Sequence, residues 1–169
     1  QTSDVYAPAN IALAKYWGKR DATLNLPLNS SLSVSLGDWG ARTSIAPAES
    51  DRLFFNGVSL EAGDAAAAKI WRFVDLFCGP ARPPLLIKTD NSIPTAAGLA
   101  SSASGFAALT RALDAAFDLA LPLERMSHLA RFGSGSATRS FWSGFVRWDK
   151  GAATDGIDSH GRSLDIAYP

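Results

Sequence analysis

A run of small and hydroxyl-bearing residues, Ile93 to Ser104, has the composition of a loop that binds phosphate. It places a proline, a glycine and three serines directly before a long helix-forming segment. The first N–H groups of a helix are unpaired and carry partial positive charge, so they suit an oxyanion. The run lacks the Gly-Lys-Ser/Thr of a Walker A loop, and Gly98 and Gly105 are too far apart for a dinucleotide-binding Gly-x-Gly-x-x-Gly. The segment predicts phosphate binding, with an N-cap on an alanine-rich core helix as the alternative.

Two further segments carry groups that bind anions. Lys15 to Asp21 contains two lysines, an arginine, a tyrosine and a tryptophan, and both ammonium and phenol groups can donate to phosphate oxygens. Gly133 to Ser140 is a Gly/Ser loop that includes Arg139, whose guanidinium could hold a carboxylate through two parallel hydrogen bonds. A basic surface loop and a helix C-cap with a surface arginine are the respective alternatives. Taken together, the three segments predict one anion pocket.

Composition narrows the class of protein. The chain has 169 residues, enough for one domain with a substantial core, and its 16 basic and 16 acidic residues cancel. This balance argues against a nucleic-acid or membrane partner, and it does not exclude a small anionic substrate held by a local cluster of Lys and Arg. One cysteine excludes an internal disulfide and fits a cytoplasmic protein, and with two histidines it makes a structural zinc site improbable. No metal ligands can be assigned.

The elements that must position these segments follow from hydrophobic patterning. Period-two alternation and turn dipeptides predict strands early in the chain, and helical spacing predicts helices later, which favours an α+β fold. Tyr16 to Asn29 is predicted to be irregular, and Gly37 to Gly40 to be a turn that joins two partner strands. The predicted strands are 5–15, 32–36, 41–46, 53–55, 58–60, 85–89 and 145–148, and the predicted helices are 65–77 (N-capped by Asp64), 98–119 and 123–132.

Several blocks resemble a known enzyme family. Ala7–Ala12, Lys15–Asp21 and Leu26–Ser33 resemble the start of diphosphomevalonate decarboxylases, and the Lys-Tyr-Trp-Gly-Lys block is highly specific to them. Ile93–Ser104 resembles that family's version of the GHMP-kinase phosphate loop, and Gly133–Ser140 resembles its substrate loop. The resemblance covers nearly the whole chain.

The resemblance implies a fold and an activity. The fold would be the GHMP-kinase N-terminal domain, similar to ribosomal protein S5 domain 2, over residues 1–169, with the C-terminal domain absent from this chain. The enzyme, expected to be a homodimer, would use ATP and Mg²⁺ to phosphorylate the tertiary hydroxyl of mevalonate 5-diphosphate. Loss of that phosphate and of carbon dioxide would give isopentenyl diphosphate in the mevalonate pathway. The family's catalytic aspartate lies in the missing half, so we expect the chain alone to be a poor catalyst.

The resemblance also implies site residues. Lys15 would lie near the transferred phosphate, and Arg139 would hold the substrate carboxylate. Further substrate contacts would come from Tyr16, Trp17, Gly18, Lys19, Ser134, Gly135, Ser136, Ala137 and Thr138. ATP would be bound by Pro94, Ala97, Gly98, Leu99, Ala100, Ser101, Ser102 and Ser104.

Two departures from the family pattern leave alternatives open. Thr138 stands where animal and fungal relatives have cysteine, and Ala65–Ala68 stand where they place an arginine, with Lys69 the nearest cation. The second change allows a decarboxylase or 3-kinase acting on mevalonate or its 5-phosphate. An inactive GHMP-like binding or dimerisation domain is a further alternative. Asp155, Asp158 and His128 are interpreted as structural residues.

Overall fold

The computed structural model describes residues 3–93 and 101–166. A mixed sheet carries helices against it, which confirms the predicted α+β class. The strands are β1 (Ser3–Ala14), β2 (Lys19–Asp21), β3 (Leu26–Pro27), β4 (Ser31–Pro47), β5 (Arg52–Phe55), β6 (Val58–Leu60), β7 (Leu85–Asn91), β8 (Phe145–Trp148) and β9 (Gly161–Leu164). The helices are α1 (Ala65–Cys78), α2 (Ser101–Ala116), α3 (Leu123–Ala130) and a 3₁₀-helix at Gly135–Arg139. None of the described helices is both long and apolar enough to cross a membrane.

The 17-residue strand β4 is the centre of the sheet. β1 runs antiparallel along one of its edges, and the opposite edge is shared by β8, at Ser31–Val34, and β7, at Ala41–Pro47. Beyond β7 the sheet continues through β5 and β6, and beyond β8 it continues through β9. β1 and the first half of β4 therefore bring Asn10 and Ser31 close to the segment that precedes β8.

The predicted turn at Gly37–Gly40 is wrong, because residues 32–36 and 41–46 are two halves of one strand. β1 pairs with both halves and shifts register between Pro8 and Asn10, so the glycines form an irregularity in a continuous ladder. A Cβ on Gly40 would lie 2.2 Å from the Ala7 carbonyl oxygen, so this position needs glycine for close approach of β1. Glycines in a strand pattern indicate a bulge as readily as a turn.

The core lies between the sheet and helices α1 and α2. Asp64 caps α1 as predicted, accepting hydrogen bonds from the amides of Ala66 and Ala67 at 2.8 and 3.2 Å. Helix α2 packs on β1 and β4, and its small side chains allow this close packing. The fully buried alanines of α2 are Ala103, Ala107, Ala108 and Ala112. The core includes the larger side chains Ile45, Leu53, Phe73, Val74, Ile87, Phe106, Leu109 and Leu113.

Other predicted boundaries differ from the structure. The helix predicted over 98–119 ends at Ala116 in the structure, before Asp118 adopts a positive φ of 52°, and its predicted start at Gly98 lies outside the described residues. The segment 16–29, predicted to be irregular, contains the β2–β3 ribbon. Strand β9 was not predicted.

Candidate anion-binding site

The predicted phosphate loop is only partly within the described residues. Pro94, Ala97, Gly98, Leu99 and Ala100 lie outside them. Ser101 is the first residue of α2, Ser102 is exposed on its first turn, and Ser104 is buried.

A chain of three hydroxyls joins α2 to the predicted substrate loop. Ser102 Oγ lies 3.3 Å from Ser134 Oγ, which lies 3.0 Å from Ser136 Oγ. Two of the three predicted anion-binding segments therefore meet.

Tyr16 brings the third segment to the same place. Its ring packs edge-on against Trp148, with the ring centroids 4.9 Å apart. A Cβ on Gly135 would lie 3.2 Å from the Tyr16 hydroxyl and 2.8 Å from the Trp148 ring. The absence of a side chain at Gly135 therefore allows Tyr16 and the 3₁₀-helix to approach one another.

The backbone around Tyr16 is held by hydrogen bonds to the Asn29 side chain, and the side chains of Lys15, Trp17 and Lys19 are exposed to solvent. Asn29 accepts from the Trp17 amide at 2.6 Å and donates to the Lys15 carbonyl at 3.3 Å. Gly18 adopts a positive φ of 63°, and Trp17 is 78% exposed. Lys15 and Lys19 are exposed, and no carboxylate of the described residues forms an ion pair with either. Both ammonium groups are thus available to an anion.

Arg139 lies beneath this surface and is only 3% exposed. Its Nε donates to Asn10 Oδ1 at 3.4 Å and its Nη1 donates to Ser31 Oγ. Asn10 in turn donates to the Ser136 carbonyl at 3.1 Å and to Ser140 Oγ at 2.7 Å. Burial lowers the pKa of Arg139 to about 10, so the group stays charged at neutral pH.

No carboxylate within residues 3–93 and 101–166 pairs with Arg139. A buried charge is unfavourable unless it is paired, so an arginine held only by neutral groups suits an anionic ligand. Sequence reasoning missed Asn10 and Ser31. The one signal available was that both residues lie in blocks that carry the family resemblance.

Two other predicted contact residues act inside the loop. Ala137 and Thr138 are both fully buried. Thr138 Oγ1 donates to the Gly135 carbonyl at 2.6 Å, and the Thr138 carbonyl accepts from Ser127 at 2.8 Å. These bonds fix the conformation of the 3₁₀-helix from its inner side.

A cleft of about 350 Å³ opens between α1 and α2 on the other side of Ser102. Its walls are mostly apolar, and Asp64 and Lys69 supply charge; the Lys69 ammonium lies 5.3 Å from the centroid of the Phe106 ring. A cleft with apolar walls and a few polar groups suits a flat organic group. Sequence reasoning interpreted Ile70 as core and noted Lys69 only as a nearby cation, so it missed this cleft.

Carboxylates within the described residues do not form a metal centre. No group of three or more His, Cys, Asp or Glu side chains among them could hold a metal ion. Asp158 accepts from the amides of Ala152 and Ala153, and the first of these bonds is the main cause of its lowered pKa. Asp155 accepts from the Ile157 amide at 3.1 Å, so both aspartates shape a loop as predicted.

Residues 7–161 match a family model described as the diphosphomevalonate decarboxylase-like N-terminal domain. The diphosphomevalonate decarboxylase of Candida albicans is 43% identical over 98% of this chain. The alignment covers 49% of that enzyme, so the chain spans about half the length of its relative.

Solved structures show the same similarity. A crystal structure of mevalonate diphosphate decarboxylase from Staphylococcus aureus superposes with a TM-score of 0.88 at 39% identity, covering 97% of this chain and 50% of the other. A structure described as MDDEF in complex with MVAPP, AMPPCP and magnesium superposes with a TM-score of 0.81 at 36% identity, covering 96% and 50%.

Proposed function

Since the chain belongs to the diphosphomevalonate decarboxylase-like family, as its N-terminal domain, we propose that it forms the substrate- and ATP-binding half of a decarboxylase. The reaction is the ATP-dependent conversion of mevalonate 5-diphosphate to isopentenyl diphosphate. The family and the α+β fold predicted from the sequence are confirmed. The single-domain assignment, the cytoplasmic location and the homodimer stay predictions.

The observation that carries this proposal is the buried Arg139 at the meeting point of three segments. In the proposed reaction a tertiary hydroxyl is phosphorylated, phosphate leaves, and the electrons of the carboxylate form the alkene as carbon dioxide departs. The enzyme must hold that carboxylate in line with the leaving group. A guanidinium fixed by Asn10 and Ser31, with no protein carboxylate paired to it in the described ranges, suits this task.

The other anionic groups have candidate partners on the same surface. Lys15, Tyr16 and Lys19 would bind phosphates through ammonium and phenol donors. Ser134 and Ser136 are linked to Ser102 and flank Gly135, which approaches Tyr16, and their hydroxyls would orient the reacting end of the substrate.

ATP would approach through the cleft that borders Ser102. The nucleoside would lie between α1 and α2 near Lys69 and Phe106, with its phosphates toward the start of α2. Magnesium fits this arrangement only as the counter-ion of ATP, because the described residues offer no carboxylate cluster. It usually binds through substrate phosphates and few protein ligands, and here the Ser102 hydroxyl is an available oxygen. It would neutralise charge on the transferred phosphoryl group.

A second candidate function is action on the 5-phosphate. The first turn of α1 is Ala65–Ala68, which carries no charge, and the Lys69 ammonium is directed at Phe106 in the cleft. This turn therefore offers no cation for a terminal phosphate.

The test measures ADP and carbon dioxide formed by the complete protein that contains this chain. With ATP and mevalonate 5-diphosphate we expect both products in equal amounts, with a lower kcat/KM for the 5-phosphate. A kcat/KM for the 5-phosphate at or above that for the diphosphate favours the second candidate, and ADP without carbon dioxide indicates a 3-kinase. Absence of both turnover and ATP binding would favour the remaining alternative, an inactive binding or dimerisation domain. The isolated 169-residue chain is the control and is expected to be a poor catalyst.

A further inference from the structure

A second buried arginine, Arg131, lies eight residues before Arg139 and has no solvent exposure. Its Nε donates to the Leu24 carbonyl at 3.0 Å, and its Nη1 donates to the carbonyls of Gly156 and Ser159 at 2.7 and 2.5 Å. Asn25 donates back to the Arg131 carbonyl at 2.6 Å. One side chain therefore joins the turn of the β2–β3 ribbon, the loop before β9 and the end of α3.

Stability alone does not explain a guanidinium at this position. Arg131 has no ion-pair partner among the described residues, and its Nη2 has no hydrogen-bond partner there. A buried charge without a counter-charge is unfavourable, and an unsatisfied buried donor adds to that cost. What the group does supply is a planar fork that reaches three carbonyls from two separate loops.

These contacts support the Tyr16–Lys19 segment from both ends. At its C-terminal end the segment continues into β2, and the turn that joins β2 to β3 is held through Leu24. At its N-terminal end Tyr16 packs on Trp148, whose Nε1 donates to Ser159 Oγ at 3.1 Å, and Ser159 also accepts from Arg131. Arg131 thus contacts one supporting group for Tyr16 and another for Lys19.

The link from Arg131 to the substrate loop is short and fixed. The amides of Gly133 and Ser134 both donate to the Ala130 carbonyl, at 3.0 and 3.1 Å. A Cβ on Gly133 would lie 2.2 Å from the Phe106 ring, so this link packs tightly on α2. Movement of Arg131 would be transmitted to Ser134.

We propose that Arg131 is a positioning residue that sets the distance between the phosphate-binding segment Tyr16–Lys19 and the substrate loop Ser134–Arg139. This inference rests on the proposed function of those two segments. Arg131 does not touch the substrate, so it acts through Leu24 and Ser159. Its loss is expected to weaken binding of the phosphorylated substrate and to leave ATP binding intact.

Two variants of the complete protein test the proposal. Arg131→Lys keeps the charge and loses the fork. Asn25→Gly removes the side chain that donates to the Arg131 carbonyl and leaves the guanidinium in place, and glycine tolerates the positive φ of 53° at that position. Arg111→Lys is the control, because Arg111 is a partly buried arginine that also donates to a backbone carbonyl, that of Phe141 at 2.9 Å, away from the ribbon.

For Arg131→Lys we expect the KM for mevalonate 5-diphosphate to rise about 10-fold, less than the roughly 100-fold that a 1 Å misplacement can cost. The KM for ATP should stay within about twofold, and Asn25→Gly should shift the substrate KM in the same direction by about threefold. Hydrogen exchange at the ribbon amides of Lys19 and Asp21 should accelerate in both variants and not in Arg111→Lys.

The proposal is overturned if Arg131→Lys lowers Tm while its kinetic constants and ribbon exchange match those of Arg111→Lys. If Arg131→Lys does not fold, Asn25→Gly decides by the same two readouts. If the unaltered protein shows no turnover, the proposed function fails, and ribbon exchange still establishes whether Arg131 holds the ribbon.

Discussion

Replacing Arg139 by lysine is the most direct test of the proposed carboxylate site. The change keeps a positive charge in a position that is 3% exposed, and it replaces a planar fork by a single ammonium. In the structure the fork donates through Nε to Asn10 and through Nη1 to Ser31. One lysine nitrogen cannot preserve both of these bonds and also form two parallel bonds to a ligand carboxylate.

The magnitude follows from the number of bonds lost. A hydrogen bond to a charged group contributes about 1.5–3 kcal/mol, and about 1.4 kcal/mol corresponds to a tenfold change. Loss of one bond to the substrate carboxylate should therefore lower kcat/KM about 10- to 100-fold. A lysine ammonium can keep one of the bonds to Asn10 and Ser31, and loss of the other should lower the free energy of unfolding by about 1.5–3 kcal/mol.

The assay compares kcat/KM at saturating ATP with the affinity for two unreactive substrate analogues, one with the carboxylate and one with a carboxamide in its place. The unaltered protein should prefer the carboxylate, and Arg139→Lys should lose most of that preference. Arg147→Lys is the control, since Arg147 is 42% exposed and paired with Asp149 at 2.5 Å. A variant within about threefold of the unaltered kcat/KM, or one that weakens both analogues equally, would refute the assignment.

Three further changes test other parts of the structure. Gly135→Ala should raise the KM for the substrate several-fold and change the KM for ATP little, because the new Cβ would lie 2.8 Å from the Trp148 ring, which packs on Tyr16. Rates measured over a range of each ligand's concentration give both KM values. Arg82→Met should lower the free energy of unfolding, measured in urea, by about 2 kcal/mol, because the Arg82 side chain is 6% exposed and forms ion pairs with Asp51 and Asp75, each at 2.8 Å. Arg72→Met, on the exposed side of α1, is the control and should change this free energy little. Burial is the main cause of the lowered pKa of His128, which is about 4 in the folded protein against an ordinary value of 6.5. As the pH falls, His128 therefore takes up a proton in the unfolded chain at a higher pH than in the folded one. The stabilisation from neutral His128 should be complete above pH 6.5, and the free energy of unfolding should fall by about 3 kcal/mol as the pH drops to 4. Urea unfolding at a series of pH values measures this slope, and His128→Asn should remove it. An unchanged slope in the variant would contradict the burial of a neutral His128.

The sequence was sufficient for features that depend on local chemistry. The Asp64 cap, the hairpin around Asn56-Gly57 and the short apolar strand predicted over 85–89 all follow from residue type and spacing, and the structure confirms each. The long strand β4 did not follow, because Gly37 and Gly40 have the same local pattern in a turn and in a bulge. Only the pairing of β1 with both halves of β4 distinguishes them, and that pairing is not local.

The candidate site could likewise be predicted only in part from the sequence. Tyr16, Ser102 and Arg139 carry groups that bind anions, so residue type was enough to select them. Asn10 and Ser31 were missed because a single polar residue in a strand has no spacing signal, and its role depends on what faces it across the sheet. The cleft beside Lys69 was missed because helical spacing shows that Ile70 faces inward without showing whether α1 and α2 are in close contact there.

Arg131 and Arg139 illustrate why burial alone does not identify a binding residue. Burial is the main cause of the lowered pKa of both, about 10 in each case, and neither has an ion-pair partner within the described ranges. They differ in their hydrogen-bond acceptors. Arg131 donates to backbone carbonyls that belong to other loops, so its geometry is tied to the fold. Arg139 donates to the side chains of Asn10 and Ser31, beside the three segments that we propose bind anions. Substitution of Arg131 should therefore change the position of the site, and substitution of Arg139 should change its chemistry.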